Sequence, residues 1–419
     1  MGPVTLRDVA DHQAAVAALF GPPATSRVAV ADALGLVTAV DVAAPISLPG
    51  FDNSAMDGYA VRAADVASAS KDSPVELPVV EDIAAGRTDA LTLAPGTANR
   101  IMTGAPLPAG ADAVVPVELT TSADGHFSTT AVSIVRAVDA GKHIRAAGSD
   151  IEQGAPALAA GTVLGAPQIG LLAALGSATI DVFTPLRVVV LSTGSELVTP
   201  GQPLQFGQIY ESNGPMLTAA ATAAGARARH EHFVVDDVAE FTTRIDAISD
   251  DADLIITSGG VSAGAFEVVK EALSQAGGVE FVKVAMQPGM PQGCGHVRSS
   301  SGRAVPIITL PGNPVSSLVS FEVFIRPALR AAMGLPPHRE RQAATLASDV
   351  RSPDGKRQFM RGVLRADGAS DSSGWAVDPI GPPGSHHLRY LAAADALIDI
   401  PADVTALGAG EVVDVWRLA

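Results

Sequence analysis

Between residues 186 and 332, short continuous apolar runs alternate with helical patterns, and this alternation constrains the fold more than any other feature of the chain. The apolar runs are Arg187–Leu191, His232–Val235, Leu254–Thr257, Val279–Ala285 and Val305–Leu310. The helical patterns cover Met216–Ala224, Val238–Ile248, Phe266–Ala276 and Val315–Ala332. A strand that is apolar along its whole length is buried on both faces, and strands separated by helices pair in parallel. The region is expected to form a three-layer α/β/α domain around a mostly parallel sheet.

The flanking regions read differently. Residues 5–20 predict an amphipathic helix with Leu6, Val9, Ala10, Val16, Ala17 and Phe20 on one side. Residues 51–139 hold short alternating runs punctuated by Pro95-Gly96 and Pro108-Ala109-Gly110, as in a small β-domain inserted into a longer element. Residues 140–185 return to that element, with a helix near Ile169–Leu175. From residue 333 onward short strands resume and end at Val412–Trp416, a β-barrel or sandwich. The expected organisation is an α/β multidomain chain. It has an elongated N-terminal domain (1–50 and 140–185), an inserted β-domain (51–139), the α/β domain (186–332) and a C-terminal β-domain (333–419).

At 419 residues the chain exceeds one ordinary core. A single cysteine, Cys294, excludes an intramolecular disulfide and any cysteine-rich metal cluster, and suits a reducing compartment. Charged residues near the start argue against a signal peptide, and no apolar run is long enough to span a membrane. A cytoplasmic protein is expected. The formal net charge of −16 argues against nucleic acid or an anionic membrane as partner.

Three glycine-rich turns follow three strands of the α/β region: Ser192-Thr193-Gly194-Ser195-Glu196, Ser258-Gly259-Gly260-Val261-Ser262 and Pro311-Gly312-Asn313-Pro314. In a parallel sheet such turns share the carboxyl edge, where ligands bind. Glycine lets backbone approach a ligand, and following helices offer unpaired N–H groups to an anion. Each turn alone also suits ordinary strand-to-helix geometry. Acids gather along the same edge at Glu196, Asp236-Asp237 and Glu267. Beside a phosphate site, carboxylates suit a bridging magnesium ion. The plainer alternatives are a helix cap at Asp237 and a first-turn acid at Glu267.

The segment Phe51-Asp52-Asn53-Ser54-Ala55-Met56-Asp57-Gly58-Tyr59-Ala60 has neither helical nor strand periodicity and reads as an ordered loop serving a site. It is followed by Arg100-Ile101-Met102-Thr103-Gly104-Ala105, the three glycine turns and Leu310-Pro311-Gly312-Asn313-Pro314. In this order and at these spacings the chain resembles the molybdopterin molybdenumtransferases, the family that includes the E domain of gephyrin. The resemblance runs from about Leu6 to Arg417.

The resemblance implies the last step of molybdenum cofactor synthesis: adenylylated molybdopterin is hydrolysed and molybdate inserted, giving molybdenum cofactor and AMP. It implies that Asp57, Asp236 and Glu267 hold magnesium or position water, with Glu196 in the same cluster. Thr103 and Lys283 would contact anionic substrate. Gly194, Ser258, Gly259, Gly260, Ser262, Pro311, Gly312, Asn313 and Pro314 would cradle the pterin phosphate, with Lys356 and Ser385 at the cleft rim. Related transferases are homodimers in which the small β-domain of one subunit faces the crevice of the other. Implied partners are the molybdopterin adenylyltransferase and molybdoenzymes.

The plainer readings are a hairpin turn at Asp57-Gly58, a hydroxyl bonded to backbone at Thr103, a snorkelling Lys283 on a buried strand, and an exposed hairpin around Lys356. The chain departs from the family at Gln287 and Met290, where many relatives carry lysine. That departure keeps open a gephyrin-like, non-catalytic dimeric scaffold that binds a partner peptide.

Overall fold

The computed structural model describes residues 6–121, 128–233, 238–259, 265–275, 278–366 and 374–418. Two compact units divide the chain. One comprises Met1–Ser26, Gly35–Ala39 and Val182–Ala419; the other comprises Arg27–Leu34 and Val40–Asp181.

The larger unit is built on a six-stranded sheet. Its strands run in the order Arg227–Phe233, Arg187–Thr193, Leu254–Gly259, Ala304–Leu310, Pro291–Arg298 and Val279–Lys283. The first four are parallel, and Pro291–Arg298 is antiparallel to both its neighbours. Helices cover both faces. Val188, Val190, Ile256 and Ile308 face one core, and Val189, Leu191, Ile255 and Ile307 face the other. This two-sided burial is why the strands read as unbroken apolar runs. The strand Pro291–Arg298 was not anticipated, because Gln292, Gly293, Gly295 and His296 interrupt its apolar period.

A closed five-stranded β-barrel follows. Arg357–Ala366, Trp375–Pro379, Arg341–Leu346, Val412–Arg417 and Ala396–Ile400 pair in turn, and the last pairs back with the first. Its lumen is filled by Leu346, Val377, Ile398 and Val415. Met286–Gln287 adds a short strand to Arg357–Gln358, so the segment after Lys283 is tied to the barrel.

The N-terminal helix spans Val9–Ala17, shorter than the 5–20 expected. Arg7 is held as a strand against Val284: its N–H donates to the Lys283 carbonyl at 2.8 Å, and its carbonyl accepts from Ala285 N–H at 2.8 Å. Asp8 then caps the helix, accepting from Ala10 N–H at 2.7 Å. Val9, His12 and Val16 are the buried positions, whereas Ala10 and Ala17 are exposed. The Val315–Ala332 pattern resolves into a helix over Pro314–Ser320, a π turn over Phe321–Ile325 and a helix over Arg326–Ala331. A π turn loosens the helical ladder, and Gln13 Nε2 donates to the Val323 carbonyl there at 3.0 Å.

The smaller unit begins as an antiparallel ribbon. Ala43 pairs with Pro156, Leu48 with Ile151, and Asn53 with Arg145. The chain thus runs along one arm of the ribbon through residues 42–54 and back along the other through 144–158. Between these arms sits a five-stranded sheet in the order Ala113–Pro116, Gly58–Val61, Ala98–Ile101, Val75–Ile83 and Ala131–Ile134. Tyr59, Val61, Val115 and Ile134 pack on one side, and Ala60, Ile83, Ile101 and Val114 on the other.

Candidate active site at the sheet edge

Strand register brings the glycine turns together. Ser192 lies opposite Ser258 and Thr193 opposite Gly259, while Ser258 lies opposite Leu310. The three turns therefore leave adjacent parallel strands at the same level. Gly259 has φ +100°, and a Cβ there would lie 2.1 Å from the Thr193 carbonyl oxygen. Only glycine fits between the first two turns. At Gly194 a Cβ would meet the Glu196 carboxylate at 2.7 Å. Glu196 itself is exposed at this edge, and its carbonyl accepts from Ile209 N–H at 2.9 Å.

The third turn is buried at Pro311 and half-buried at Gly312. Asn313 is exposed, and Pro314 begins the helix, a position where its missing N–H is harmless. Ser317 Oγ donates to the Pro311 carbonyl. The Ser385 carbonyl accepts from Val315 N–H at 3.0 Å, which seats the barrel loop on this helix. Arg361, 5% exposed, holds that loop by donating to the carbonyls of Pro382, Gly384 and His387. Lys356 is half-buried just before the Arg357–Ala366 strand.

Lys283 is the last residue of an edge strand and is exposed, not set within a buried strand. Its strand runs in the same direction as the four parallel strands through two antiparallel pairings, and Lys283 pairs with Pro291. The ammonium-bearing end is thus at the carboxyl edge with the turns. The loop that follows begins with half-buried Gln287, passes through a cis Gln287–Pro288 bond, and includes Gly289 at φ +97°.

Sequence reasoning missed three residues beside the turns. Glu211, 2% exposed, accepts at Oε1 from Ser192 Oγ at 2.9 Å and from Gly214 N–H at 2.6 Å. His230 Nε2 lies 3.1 Å from Ser192 Oγ and 3.7 Å from Glu211 Oε2. Burial holds the His230 imidazole below its usual pKa, against the raising pull of Glu211. Asn213 Nδ2 donates to Ser258 Oγ at 2.8 Å and to the Gly312 carbonyl at 2.7 Å. The only signal was a short polar run, Glu211-Ser212-Asn213, before a helical pattern.

In the smaller unit, Asp57 and Thr103 meet directly. Asp57 Oδ1 accepts from Thr103 N–H at 2.6 Å and from Thr103 Oγ1 at 2.7 Å. The two Thr103 bonds, with help from Arg100, hold the Asp57 carboxyl below the usual carboxylate range despite partial desolvation. Asp57 itself is exposed. The hairpin reading of Asp57-Gly58 is corrected: Gly58 opens a buried strand, and a Cβ there would lie 2.0 Å from the Val115 carbonyl oxygen. Tyr59 and Ala60 belong to this strand, so the Phe51–Ala60 stretch is not loop throughout. The Thr103 hydroxyl bonds a carboxylate, not backbone.

Asp236, Asp237, Gly260, Val261 and Ser262 lie outside the described residues, as does the side chain of Glu267 on the Ala265–Gln275 helix. Among the described residues no group of three or more histidine, cysteine, aspartate or glutamate side chains is arranged to hold a metal ion.

Comparison with known proteins now decides the family. Residues 7–176 match the MoeA N-terminal region (domain I and II), residues 189–331 a probable molybdopterin binding domain, and residues 343–418 the MoeA C-terminal region (domain IV). Over 420 residues the chain is 54% identical to molybdopterin molybdenumtransferase 2 of Mycobacterium tuberculosis, covering 99% of this chain and 100% of that one. The chain belongs to the molybdopterin molybdenumtransferase family. Molybdopterin molybdenumtransferase 1 of the same organism is 38% identical over 438 residues, with 99% of each chain covered. The crystal structure of a molybdopterin biosynthesis MoeA protein from Pyrococcus horikosii superposes with a TM-score of 0.80 at 32% identity, covering 99% of this chain and 100% of that one. As a molybdopterin molybdenumtransferase, the chain is a transferase of molybdenum cofactor biosynthesis. Among the described residues no helix is long and apolar enough to cross a membrane.

Proposed function

We propose that this transferase takes adenylylated molybdopterin, hydrolyses its pyrophosphate linkage and inserts molybdate at the dithiolene, releasing molybdenum cofactor and AMP. The observation that carries this reading is the register of Ser192, Ser258 and Leu310, which sets three glycine turns side by side at one sheet edge. Their backbone N–H groups supply an anion site in a chain of net charge −16. Lys283 adds a cation at the same edge.

Asp57 is the candidate group for positioning water or a divalent ion, and Thr103 keeps it ionised by donating two hydrogen bonds to one oxygen. Oxygen-rich, ionised carboxylates suit magnesium, and Asp57, Asp236 and Glu267 are the residues that would hold it. When bound, magnesium would offset charge on the cleaved phosphate. We further propose a cytoplasmic homodimer in which Asp57 and Thr103 of one subunit complete the crevice of the other. The molybdopterin adenylyltransferase would supply substrate, and molybdoenzymes would receive product.

Incubation of pure protein with adenylylated molybdopterin, magnesium and molybdate tests the reaction. AMP release matched by active cofactor supports it. Binding without AMP release sinks the hydrolytic reading.

A further inference from the structure

Glycine turns are the softest ends of a rigid sheet, so a site built from three of them depends on what fixes their spacing. Asn213 supplies one such link. Its Nδ2 group has two protons, and both are used across a strand boundary: one to Ser258 Oγ in the second turn, the other to the Gly312 carbonyl in the third. Glu211 holds Asn213 in place from below. Its Oε1 takes the Gly214 N–H at the start of the Asn213–Ala223 helix and the Ser192 hydroxyl on the strand entering the first turn. The Ser192 hydroxyl has one proton, which goes to Glu211, so the contact with His230 assigns the Nε2–H tautomer.

We propose that Asn213 is a positioning residue of this transferase, setting the gap between the second and third turns, and that Glu211 orients it. The inference rests on the reading that these turns receive the pterin substrate. Asparagine is suited to the task because its short amide points two donors at two acceptors. An ionised aspartate would face the Gly312 carbonyl with a second acceptor and push the turns apart. A protonated aspartate regains one donor.

The test is calorimetric binding of adenylylated molybdopterin to the full chain, without magnesium or molybdate so that turnover is withheld. Thermal midpoints are measured alongside. Asn213→Ala is expected to bind about tenfold more weakly, the loss anticipated from two neutral hydrogen bonds that fix geometry. Asn213→Asp is expected to bind weakly at pH 8 and to approach the parent as pH falls toward 5. Glu211 and His230, the titratable groups of the adjoining Ser192 cluster, are present in both proteins, so the difference between the two profiles isolates residue 213. Glu211→Gln, which keeps an oxygen for Gly214 N–H, is expected to lose less than Asn213→Ala. A parent that binds, with an Asn213→Ala protein that binds equally well, overturns the positioning role. An Asn213→Asp protein with the same pH profile as the parent also overturns it, even if Asn213→Ala lowers stability. A parent that does not bind at all removes the substrate reading and this inference together.

Discussion

Thr103 donates both its N–H and its hydroxyl to a single oxygen of Asp57, at 2.6 and 2.7 Å. Two donors on one carboxylate oxygen favour the charged form, and the lowered pKa follows from them. The pair joins residues 46 positions apart and turns two separate sequence motifs into one acidic unit.

Replacing Thr103 by valine removes the hydroxyl bond and keeps the amide. The Asp57 carboxyl is expected to titrate at higher pH than in the parent. A group with a depressed folded pKa keeps its charge-dependent contribution above that pKa and loses it as pH falls through it. The acid limb of activity should therefore move to higher pH in Thr103→Val and return in Thr103→Ser. Carboxyl NMR titration of Asp57 checks the cause. An unmoved Asp57 titration would mean that Thr103 acts by some other route.

His12 is wholly buried, packs edge-on against Phe324 at 4.6 Å, and has neither ring nitrogen hydrogen-bonded among the described residues. Burial lowers its pKa from 6.5 to about 4. The unfolded chain therefore binds this proton first as pH falls. Its contribution is fully present above pH 6.5 and is lost progressively down to about 4. At about 1.4 kcal/mol per pH unit this reaches about 3 kcal/mol. His12→Phe is expected to flatten the fall in stability between pH 6.5 and 4, as read by denaturant midpoints. Parallel curves for both proteins would show that the imidazole is not the titrating group.

Gly259 combines a left-handed backbone with contact against the Thr193 carbonyl. Gly259→Ala meets both obstacles and is expected to destabilise the chain by at least about 2 kcal/mol. Gly96 also has positive φ but has no atom within 4 Å of its would-be Cβ, so Gly96→Ala should cost only the backbone term. Thermal unfolding of the two variants separates strain from steric clash. Equal losses would place the whole effect in backbone conformation.

Lys283 is exposed at the sheet edge, and its ammonium has no described partner. Lys283→Ala is expected to weaken binding of adenylylated molybdopterin by about 1 kcal/mol, the modest end for a charged contact near water, without shifting the thermal midpoint. Adding charge at the half-buried positions Gln287 and Met290, as a double lysine variant, should raise the association rate at low salt. Screening acts over a Debye length of about 8 Å at physiological ionic strength, so the gain should fade with salt. Turnover should stay unchanged. Turnover appearing only in the double lysine variant would show a degenerate transferase and favour the scaffold reading.

The local pattern of the chain carried the architecture. Unbroken apolar runs such as Val188–Leu191 and Ile255–Ile256 announce two-sided burial, and glycines after strands announce a ligand edge, because both signals depend on residues within one element. The register of Ser192 with Ser258 is a further matter, because parallel neighbours can slide by two residues and bury the same faces. Tertiary structure alone decided the pairing of polar groups. Asp57 found Thr103, Asn213 found Ser258 and Gly312, Glu211 found Ser192, and His12 entered the core although its helix offered alanines for that face. Hydrophobic periodicity reports which side of an element is buried. A hydrogen bond depends on atoms brought within 3 Å by folding, often from residues tens of positions apart, and no local period encodes it.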